Sequence, residues 1–338
     1  MGRSSPSPII SKKIPFVSIC IPTYERGDYL DSTLRSLFFE LEKTPDACIE
    51  IIVNDNGSTD NTDTIIAKWQ KKLPLRYYKL NENKGSDFNF YAAAQHARGS
   101  YIWWFCSDDH IEPDALIQLI RYLQEYTPEC AYINHNLYNL DMSENLGPHP
   151  MLAFLEQPQL FKNATECILN IGFMFGFLGA IIIRSESFFA LDEPLKFNHT
   201  CYSHVGWMFE VLLKGGSCLY INTPLIQHRT GNDSFLTNGA YRRMRIDVEG
   251  FDKIGRYYLS LSVFKKFYSH FFMMHVSWRL YELAKLDIRT KYKVFQTIRD
   301  YLWKPRMDLN FQFVFKIIIF TFIPHYIFQK IRPQKFRA

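Results

Sequence analysis

The sequence predicts an α/β protein in which helices cover a mainly parallel sheet. Short apolar runs alternate with amphipathic helical patterns over residues 16–126, as they do in chains built from strand–helix units. One of these runs, residues 101–106, is apolar on both faces, which is typical of a central strand with helices on each side. With 338 residues, of which 47% are hydrophobic and 22% charged, the chain is expected to fold around a large core in one large or two smaller domains.

Strands and helices follow one another regularly in the first part of the chain. Apolar side chains at spacings of three and four over residues 30–41 predict a helix after the first strand. Similar patterns over residues 65–73, 90–97 and 116–123 predict a helix after each later strand. The predicted strands are residues 16–21, 49–53, 75–80 and 101–106.

Polar clusters follow the predicted strands. Right-handed crossovers place the carboxyl ends of parallel strands along one edge of a sheet, where open α/β sheets bind ligands. The sequence therefore predicts a ligand site at that edge. The clusters are residues 22–26, 54–56, 81–86 and 107–110.

The second part of the chain has a less regular pattern. Residues 171–183 are apolar, but a bilayer span needs about 20 residues, so we expect this stretch to lie in the core. From about residue 241 the pattern is helical and aromatic. Residues 311–328, followed by Lys330, Arg332, Lys335 and Arg337, predict an in-plane anchor on an anionic membrane, with a docked C-terminal helix as the alternative.

Composition excludes several classes of protein. The formal charge of +5 is mild and the basic residues are spread along the chain, so a nucleic-acid partner is not expected. Seven cysteines without a CxxC pair argue against a disulfide framework and a zinc ribbon. Residues 1–15 lack a continuous apolar segment, so no secretory signal is expected. These observations together predict a cytoplasmic protein.

Two acidic positions are candidates for chemistry. Asp108 and Asp109 follow the central strand, and such a pair suits a hard cation such as Mg²⁺ or Mn²⁺ that bridges to phosphate. The alternative is a solvated helix N-terminus, where acids suit the dipole. Asp55 lies in a turn that contains Gly57, where it accepts a hydrogen bond either from a nucleobase or from its own Asx turn.

Four segments, residues 17–24, 53–60, 83–85 and 107–109, resemble the motif blocks of family 2 glycosyltransferases in kind and in order. The resemblance implies a GT-A nucleotide-diphospho-sugar transferase fold over residues 16–235. Within it, residues 16–126 would bind the nucleotide-sugar and residues 127–235 the acceptor. Residues 236–338 would form a helical C-terminal region with the basic aromatic tail.

The resemblance also implies roles for individual residues. Asp108 would approach the ribose or the sugar, and Asp109 would hold the divalent metal, whose charge offsets that on the departing diphosphate. His228, which follows an apolar run, is a second candidate metal ligand. The expected nucleotide-sugar-binding residues are Pro22, Tyr24, Arg26, Asp55, Asn83, Gly85 and Asp108.

A narrower resemblance covers the second half. Residues 171–184, 202–205 and 229–235 are similar to abequosyltransferases of bacterial O-antigen assembly. This resemblance implies a dideoxyhexose or related donor. The four motif blocks and the basic aromatic tail together predict a lipid-linked or membrane-proximal glycan as acceptor, at the inner membrane surface.

The expected general base is not obvious. Many inverting members of the family carry a Glu-Asp pair in the acceptor region, where this chain has Tyr202-Ser203-His204. An imidazole with a pKa of about 6.5 takes a proton near neutrality, so His204 is the predicted base, with Asp233 and Glu210 as rivals.

Two other functions stay open. One is a nucleotidyltransferase, which the single glycine of the first loop, residues 22–27, disfavours. The other is a non-catalytic nucleotide-sugar-binding scaffold, which the missing Glu-Asp pair leaves open.

Overall fold

One mixed sheet organises the part of the chain that the computed structural model describes, residues 14–44, 48–149, 155–235, 239–272 and 287–303. The strands are β1 (Val17–Thr23), β2 (Ile49–Asp55), β3 (Leu75–Lys79), β4 (Tyr101–Trp104), β5 (His110–Ile111), β6 (Cys130–Tyr138), β7 (Asn145–Pro148), β8 (Gln159–Phe161), β9 (Ile181–Arg184) and β10 (Cys218–Arg229). The helices are α1 (Gly27–Lys43), α2 (Thr62–Trp69), α3 (Ser86–Gln95), α4 (Ala115–Tyr126), α5 (Ala164–Ile171), α6 (Ser185–Phe189), α7 (Ser203–Leu213), α8 (Ala240–Tyr258), α9 (Leu261–Phe271) and α10 (Ile288–Trp303).

The strands are ordered β3-β2-β1-β4-β9-β6-β10-β5, with β7 beside β6 and β8 beside β10. The four predicted strands are β1 to β4, and they pair in parallel. Strand β9 is antiparallel to both of its neighbours, β4 and β6, so these two strands point the same way as β1. Strand β10 is parallel to β6. The predicted α/β class with a mainly parallel sheet is confirmed, with β9 as an antiparallel insertion.

Parallel pairing brings the carboxyl ends of six strands to one edge of the sheet. Thr23 and Asp55 are partners at the ends of β1 and β2, and Tyr138 and Arg229 are partners at the ends of β6 and β10. The register of β10 shifts between Ile221 and Ile226, a bulge that re-aims the residues after it. The residues at the end of β10 therefore share an edge with those that follow β1, β2 and β4.

The core lies on both faces of the sheet. All seven residues of β1 and all seven of β2 are buried, as helices on both faces require. The apolar stretch over residues 171–183 is core, as predicted, because Phe173, Phe175 and Ile182 are fully buried. It forms two 3₁₀ turns, Gly172–Gly176 and Leu178–Ala180, before β9.

The C-terminal helices share this core. Met244, Val248 and Phe251 of α8 are buried, and the Phe251 ring lies 4.9 Å from the ring of Tyr202, which precedes α7. The division between residues 235 and 236 stays a prediction. Within the described ranges, no helix is both long and apolar enough to span a bilayer. The predicted membrane-associating tail, residues 311–337, lies outside those ranges.

Candidate active site

The acidic pair lies in the turn between β4 and β5, at the predicted edge. The Asp109 carboxylate is 1% exposed. Its Oδ1 accepts a hydrogen bond from the backbone N–H of Arg229 at 2.9 Å, and Nδ1 of His228 lies 3.1 Å from the same oxygen. The Asp109 carbonyl accepts a hydrogen bond from Thr33 Oγ1 at 2.8 Å. The fold thus brings together His228 and Asp109, which are 119 positions apart.

The His228 ring packs against two other aromatic rings. Its ring centroid lies 4.5 Å from that of Phe177 and 5.5 Å from that of His135. Burial lowers the pKa of His228, but the carboxylates of Asp109 and Asp108 outweigh it, and the net pKa is raised. The site therefore favours positive charge beside Asp109, which a proton or a divalent cation supplies.

Asp108 connects two loops. Its carboxylate forms an ion pair with Arg26, from the loop between β1 and α1. It also accepts a hydrogen bond at 2.6 Å from Nδ2 of Asn232, which follows β10. Burial and the neighbouring Asp109 carboxylate raise the pKa of Asp108, while the Arg26 guanidinium opposes them. Asp108 is thereby held between these two loops.

Arg229 supports the acidic pair from the end of β10. Its side chain donates from Nε to the carbonyl of Asp108 at 2.7 Å and from Nη1 to the carbonyl of Leu140 at 2.6 Å. The guanidinium also lies over the Tyr29 ring, 5.0 Å from its centroid. The sequence signal for this contact is an arginine at the carboxyl end of a predicted strand, directly after His228.

The residues at this edge fit a divalent cation. Potential ligand atoms of Cys106, Asp108 and Asp109 lie within 4.8 Å of one another. His228 adds a nitrogen beside Asp109. Two carboxylates and an imidazole form a donor set that suits Mn²⁺ and, through its oxygens, Mg²⁺.

Asp55, which the motif blocks predict to contact the nucleobase, is fully buried and hydrogen-bonded within the protein. Its Oδ1 accepts hydrogen bonds from the backbone N–H and the Oγ of Ser58 at 2.8 and 2.5 Å. Its Oδ2 accepts one from the Tyr77 hydroxyl at 2.7 Å. The residue is fully buried, so in this structure its carboxylate shapes the turn. Pro22 is also buried, within β1, whereas Tyr24 is 41% exposed on the adjoining loop.

Asn83 and Gly85 belong to a hydrogen-bonded loop between β3 and α3. The Asn83 side-chain oxygen accepts from the Gly85 N–H and from Asn56 Nδ2, both at 2.9 Å. Asn56 in turn accepts from the Lys84 N–H at 2.9 Å. Asn56 therefore links the loops that follow β2 and β3. The motif blocks predict no individual role for this residue.

The expectation that His204 is the general base does not fit the structure. His204 is 1% exposed in α7, its Nε2 lies 3.3 Å from the carbonyl of Gly176, and its ring packs edge-on against Phe90. Burial lowers the pKa of His204 to about 4. The apolar residues around the histidine in α7 are the sequence signal for this burial, because a helix that is apolar on nearly all sides lies inside the protein.

Glu210 and Asp233, the two rivals for the role of general base, have different surroundings. Glu210 accepts from the backbone N–H of Asp192 and from the Tyr258 hydroxyl, both at 2.8 Å, which is a structural arrangement. Asp233 follows Asn232 in the loop after β10, and its carboxylate is 27% exposed and ion-paired with Arg243.

Comparisons with known proteins agree with this geometry. The family model described as Glycosyl transferase family 2 matches residues 18–188. The abequosyltransferase RfbV of Salmonella typhimurium is 33% identical over 258 residues, which are 73% of this chain and 76% of that protein.

Solved structures of low sequence identity share the fold. TarS 1–349 of S. aureus in complex with UDP-GlcNAc superposes with a TM-score of 0.58 at 16% identity, covering 94% of this chain and 93% of that one. The mannosyltransferase PcManGT of Pyrobaculum calidifontis, in complex with GDP-Man and Mn²⁺, gives a TM-score of 0.55 at 15% identity, covering 91% and 84%. The fold implied by the motif blocks, GT-A, is thereby confirmed, and the chain belongs to glycosyl transferase family 2.

Proposed function

We propose that this glycosyltransferase is metal-dependent and transfers a sugar from a nucleoside-diphosphate sugar to a hydroxyl group of a glycan. The observation that carries the proposal is the junction of Asp108, Asp109 and His228 at the carboxyl edge of the sheet. Solved structures of the same fold hold UDP-GlcNAc, or GDP-Man with Mn²⁺. In this proposal the acceptor hydroxyl loses its proton to the solvent, its oxygen bonds to the anomeric carbon, and the bond to the diphosphate breaks so that nucleoside diphosphate leaves.

The acidic pair divides two tasks. Asp109 and His228 would hold the cation, and Asp108 would accept hydrogen bonds from the ribose or the sugar. A bound Mn²⁺ or Mg²⁺ supplies Lewis-acid stabilisation of the charge on the departing diphosphate. Arg229 keeps both acids in place through its backbone N–H to Asp109 and its Nε to the Asp108 carbonyl.

The nucleoside would bind in a cleft between the loops after β1, β2 and β3. Tyr24, partly exposed, offers a ring to the base, and Arg26 offers a guanidinium beside Asp108. Asn83 and Gly85 line the neighbouring loop. Pro22 and Asp55 act from beneath, by setting the shape of the first two loops.

The acceptor and donor sugar are proposed from the similarity to RfbV, which is described as an abequosyltransferase. We propose a dideoxyhexose or related donor and a lipid-linked glycan of a surface polysaccharide as acceptor. The enzyme would then work at the cytoplasmic face of a membrane, attached through its C-terminal tail.

Release of nucleoside diphosphate tests the proposal. Purified protein is incubated with UDP-, GDP-, CDP- and dTDP-sugars, with Mn²⁺ or with EDTA. We expect Mn²⁺-dependent release from one donor. Mutation of a group that merely hydrogen-bonds to a metal ligand costs about 10–100-fold in metal affinity or activity. Asp109→Asn changes a proposed ligand itself, so we expect its rate of release to fall by more than about 100-fold. Asp141→Asn, which alters an exposed carboxylate that accepts from Ser143, is the control that should keep full activity.

The same assay separates the alternatives. Pyrophosphate release from a nucleoside triphosphate and a sugar phosphate would indicate a nucleotidyltransferase. Tight donor binding without release, in the presence of several acceptor extracts, would indicate the non-catalytic scaffold. Release that EDTA and Asp109→Asn leave unchanged would overturn the metal-dependent mechanism.

A further inference from the structure

The loop after β10, residues 230–235, joins the acidic pair to the C-terminal helical region. At one end, Thr230 is fastened to β6, where its N–H and its Oγ1 both donate to the carbonyl of Tyr138, at 2.9 and 2.7 Å. In the middle, Asn232 donates from Nδ2 to Asp108 at 2.6 Å and accepts at its carbonyl from Arg26 at 3.2 Å. The loop thus delivers an amide to one of the two acids proposed to bind the donor and metal.

Arg243 of α8 holds the other end of this loop. Its Nε donates to Oδ2 of Asp233 at 2.8 Å, and its guanidinium lies over the Phe235 ring, 5.3 Å from the centroid. The same guanidinium forms an ion pair with Asp247 and donates to the Tyr202 hydroxyl at 3.2 Å. With only 12% of its side chain exposed, Arg243 is fixed by its own helix and by the residue that precedes α7.

We propose that Arg243 is a positioning residue for donor binding, which acts through Asp233 to hold Asn232 against Asp108. The inference rests on the proposed function, since it concerns binding at the same cleft. Because Asn232 adjoins Asp233 in the chain, the ion pair restricts where the Asn232 amide lies. Without the ion pair, the loop would be ordered only when the donor binds, and the entropy lost in ordering it would reduce donor affinity. The chemical step, which follows binding, should slow less.

Two conservative variants test this role. Asp233→Asn removes the charge on the loop and leaves Arg243 paired with Asp247. Arg243→Lys keeps a cation for Asp247, whose carboxylate is 1% exposed, but loses the planar fork that joins the partners. Alanine at position 243 is avoided, because it would leave a buried carboxylate unpaired and destabilise the fold.

The control is Glu249→Gln. Glu249 is an exposed carboxylate on α8 that accepts from Arg245 Nε at 2.7 Å. The change removes an arginine–carboxylate pair from the same helix without touching the loop. It should leave donor binding and the melting temperature as they are in the wild type.

The measurements are the Kd for the nucleoside diphosphate with Mn²⁺, by calorimetry, and KM and kcat for the donor. For both test variants we expect Kd and KM to rise about tenfold, which corresponds to the loss of one modest interaction, with kcat within about threefold. A cycle with Asn232→Ala tests the route: the double variant Asn232→Ala/Arg243→Lys should lose little more affinity than the worse single variant.

Other outcomes overturn the inference. If the affinity losses of Asn232→Ala and Arg243→Lys multiply in the double variant, Arg243 does not act through Asn232. A fall in kcat alone with a flattened pH profile in Asp233→Asn would make Asp233 a general base. A lower melting temperature with unchanged Kd would mean a structural role only. If the wild type binds and releases no nucleotide while remaining folded, the proposed function fails first, and the inference with it.

Discussion

The imidazoles of His204 and His228 have opposite surroundings. His228 lies beside the Asp109 carboxylate, and its pKa is raised. His204 lies among Phe90, Tyr202 and the carbonyl of Gly176, with its Nδ1 without a hydrogen-bond partner, and burial lowers its pKa to about 4. The groups around each ring, and not the residue type, decide in which direction its pKa moves.

Burial of His204 gives the fold a dependence on pH. Because the unfolded state takes up this proton near pH 6.5 and the folded state only near pH 4, stability should fall as the pH is lowered between these values. The loss should reach about 3 kcal/mol from this one group. Urea unfolding of the wild type and His204→Gln at pH 7.5, 5.5 and 4.5 checks this.

The variant should lose less stability than the wild type over this range, because glutamine does not titrate. Both proteins share every other titrating group, so the difference between their slopes isolates His204. Parallel slopes would show that His204 is not a buried neutral imidazole.

At the scale of elements, the loops at the carboxyl edge brace one another. The turn after β2 and the loop after β3 are joined by the Asn56–Asn83 hydrogen bond. They also pack closely, because a Cβ added to Gly57 would lie 3.0–3.2 Å from backbone atoms of Glu82. Gly57 has a φ of +82°, a conformation that costs other residues about 1–2 kcal/mol.

Gly57→Ala should therefore be more damaging than the same change at a roomy position with a similar φ. Gly215, with a φ of +95° and nothing within 4 Å of an added Cβ, is the matched control. Both variants carry the backbone strain, but only Gly57→Ala overpacks a neighbour, which should cost about 1–3 kcal/mol more. Urea unfolding measures the difference.

Donor affinity should also fall in Gly57→Ala and stay unchanged in Gly215→Ala, because only the first displaces loops of the proposed nucleoside site. Equal free energies of unfolding for the two variants would contradict the close approach of the two loops.

Within the whole molecule, helix α8 packs against the sheet-containing part of the chain. Helix α8 contributes Phe251 to the core beside Tyr202 and extends Arg243 to the loop after β10. A segment that the sequence predicts as an appended helical region thus contacts the loop that carries Asn232. Arg243 thus connects α8 to the loop beside the proposed donor site.

The basic residues near the C-terminus should attach the protein to anionic membranes. A full-length variant with Lys330, Arg332, Lys335 and Arg337 all changed to glutamine should lose most binding to vesicles that contain anionic lipid, at about 1 kcal/mol per charge. Wild-type binding should weaken as salt is added. Co-sedimentation with anionic and with neutral vesicles measures both effects.

Donor hydrolysis without vesicles should be the same in this variant and in the wild type. Equal binding of both proteins to anionic vesicles would contradict the electrostatic attachment, and absence of binding by the wild type would favour a docked C-terminal helix.

Sequence patterns alone predict the α/β class, the four parallel strands β1 to β4, the shared edge of their polar loops and, through the motif blocks, the family. These features follow from local periodicity and from the handedness of crossovers, which a single chain displays in order. The predicted contributions of Asp108, Asp109 and His228 to one site required only that their strands end at one edge.

Other features depend on packing between distant segments, and they became visible in the folded protein. Strand β9 lies antiparallel between β4 and β6. The sequence does not predict this strand, because the 3₁₀ turns before it carry neither a helical nor a strand period. His204 is buried, and Asp233 is partly exposed and paired with Arg243 from the next helix. Exposure and pairing are properties of three-dimensional neighbours, and no local pattern encodes which of two histidines meets a carboxylate.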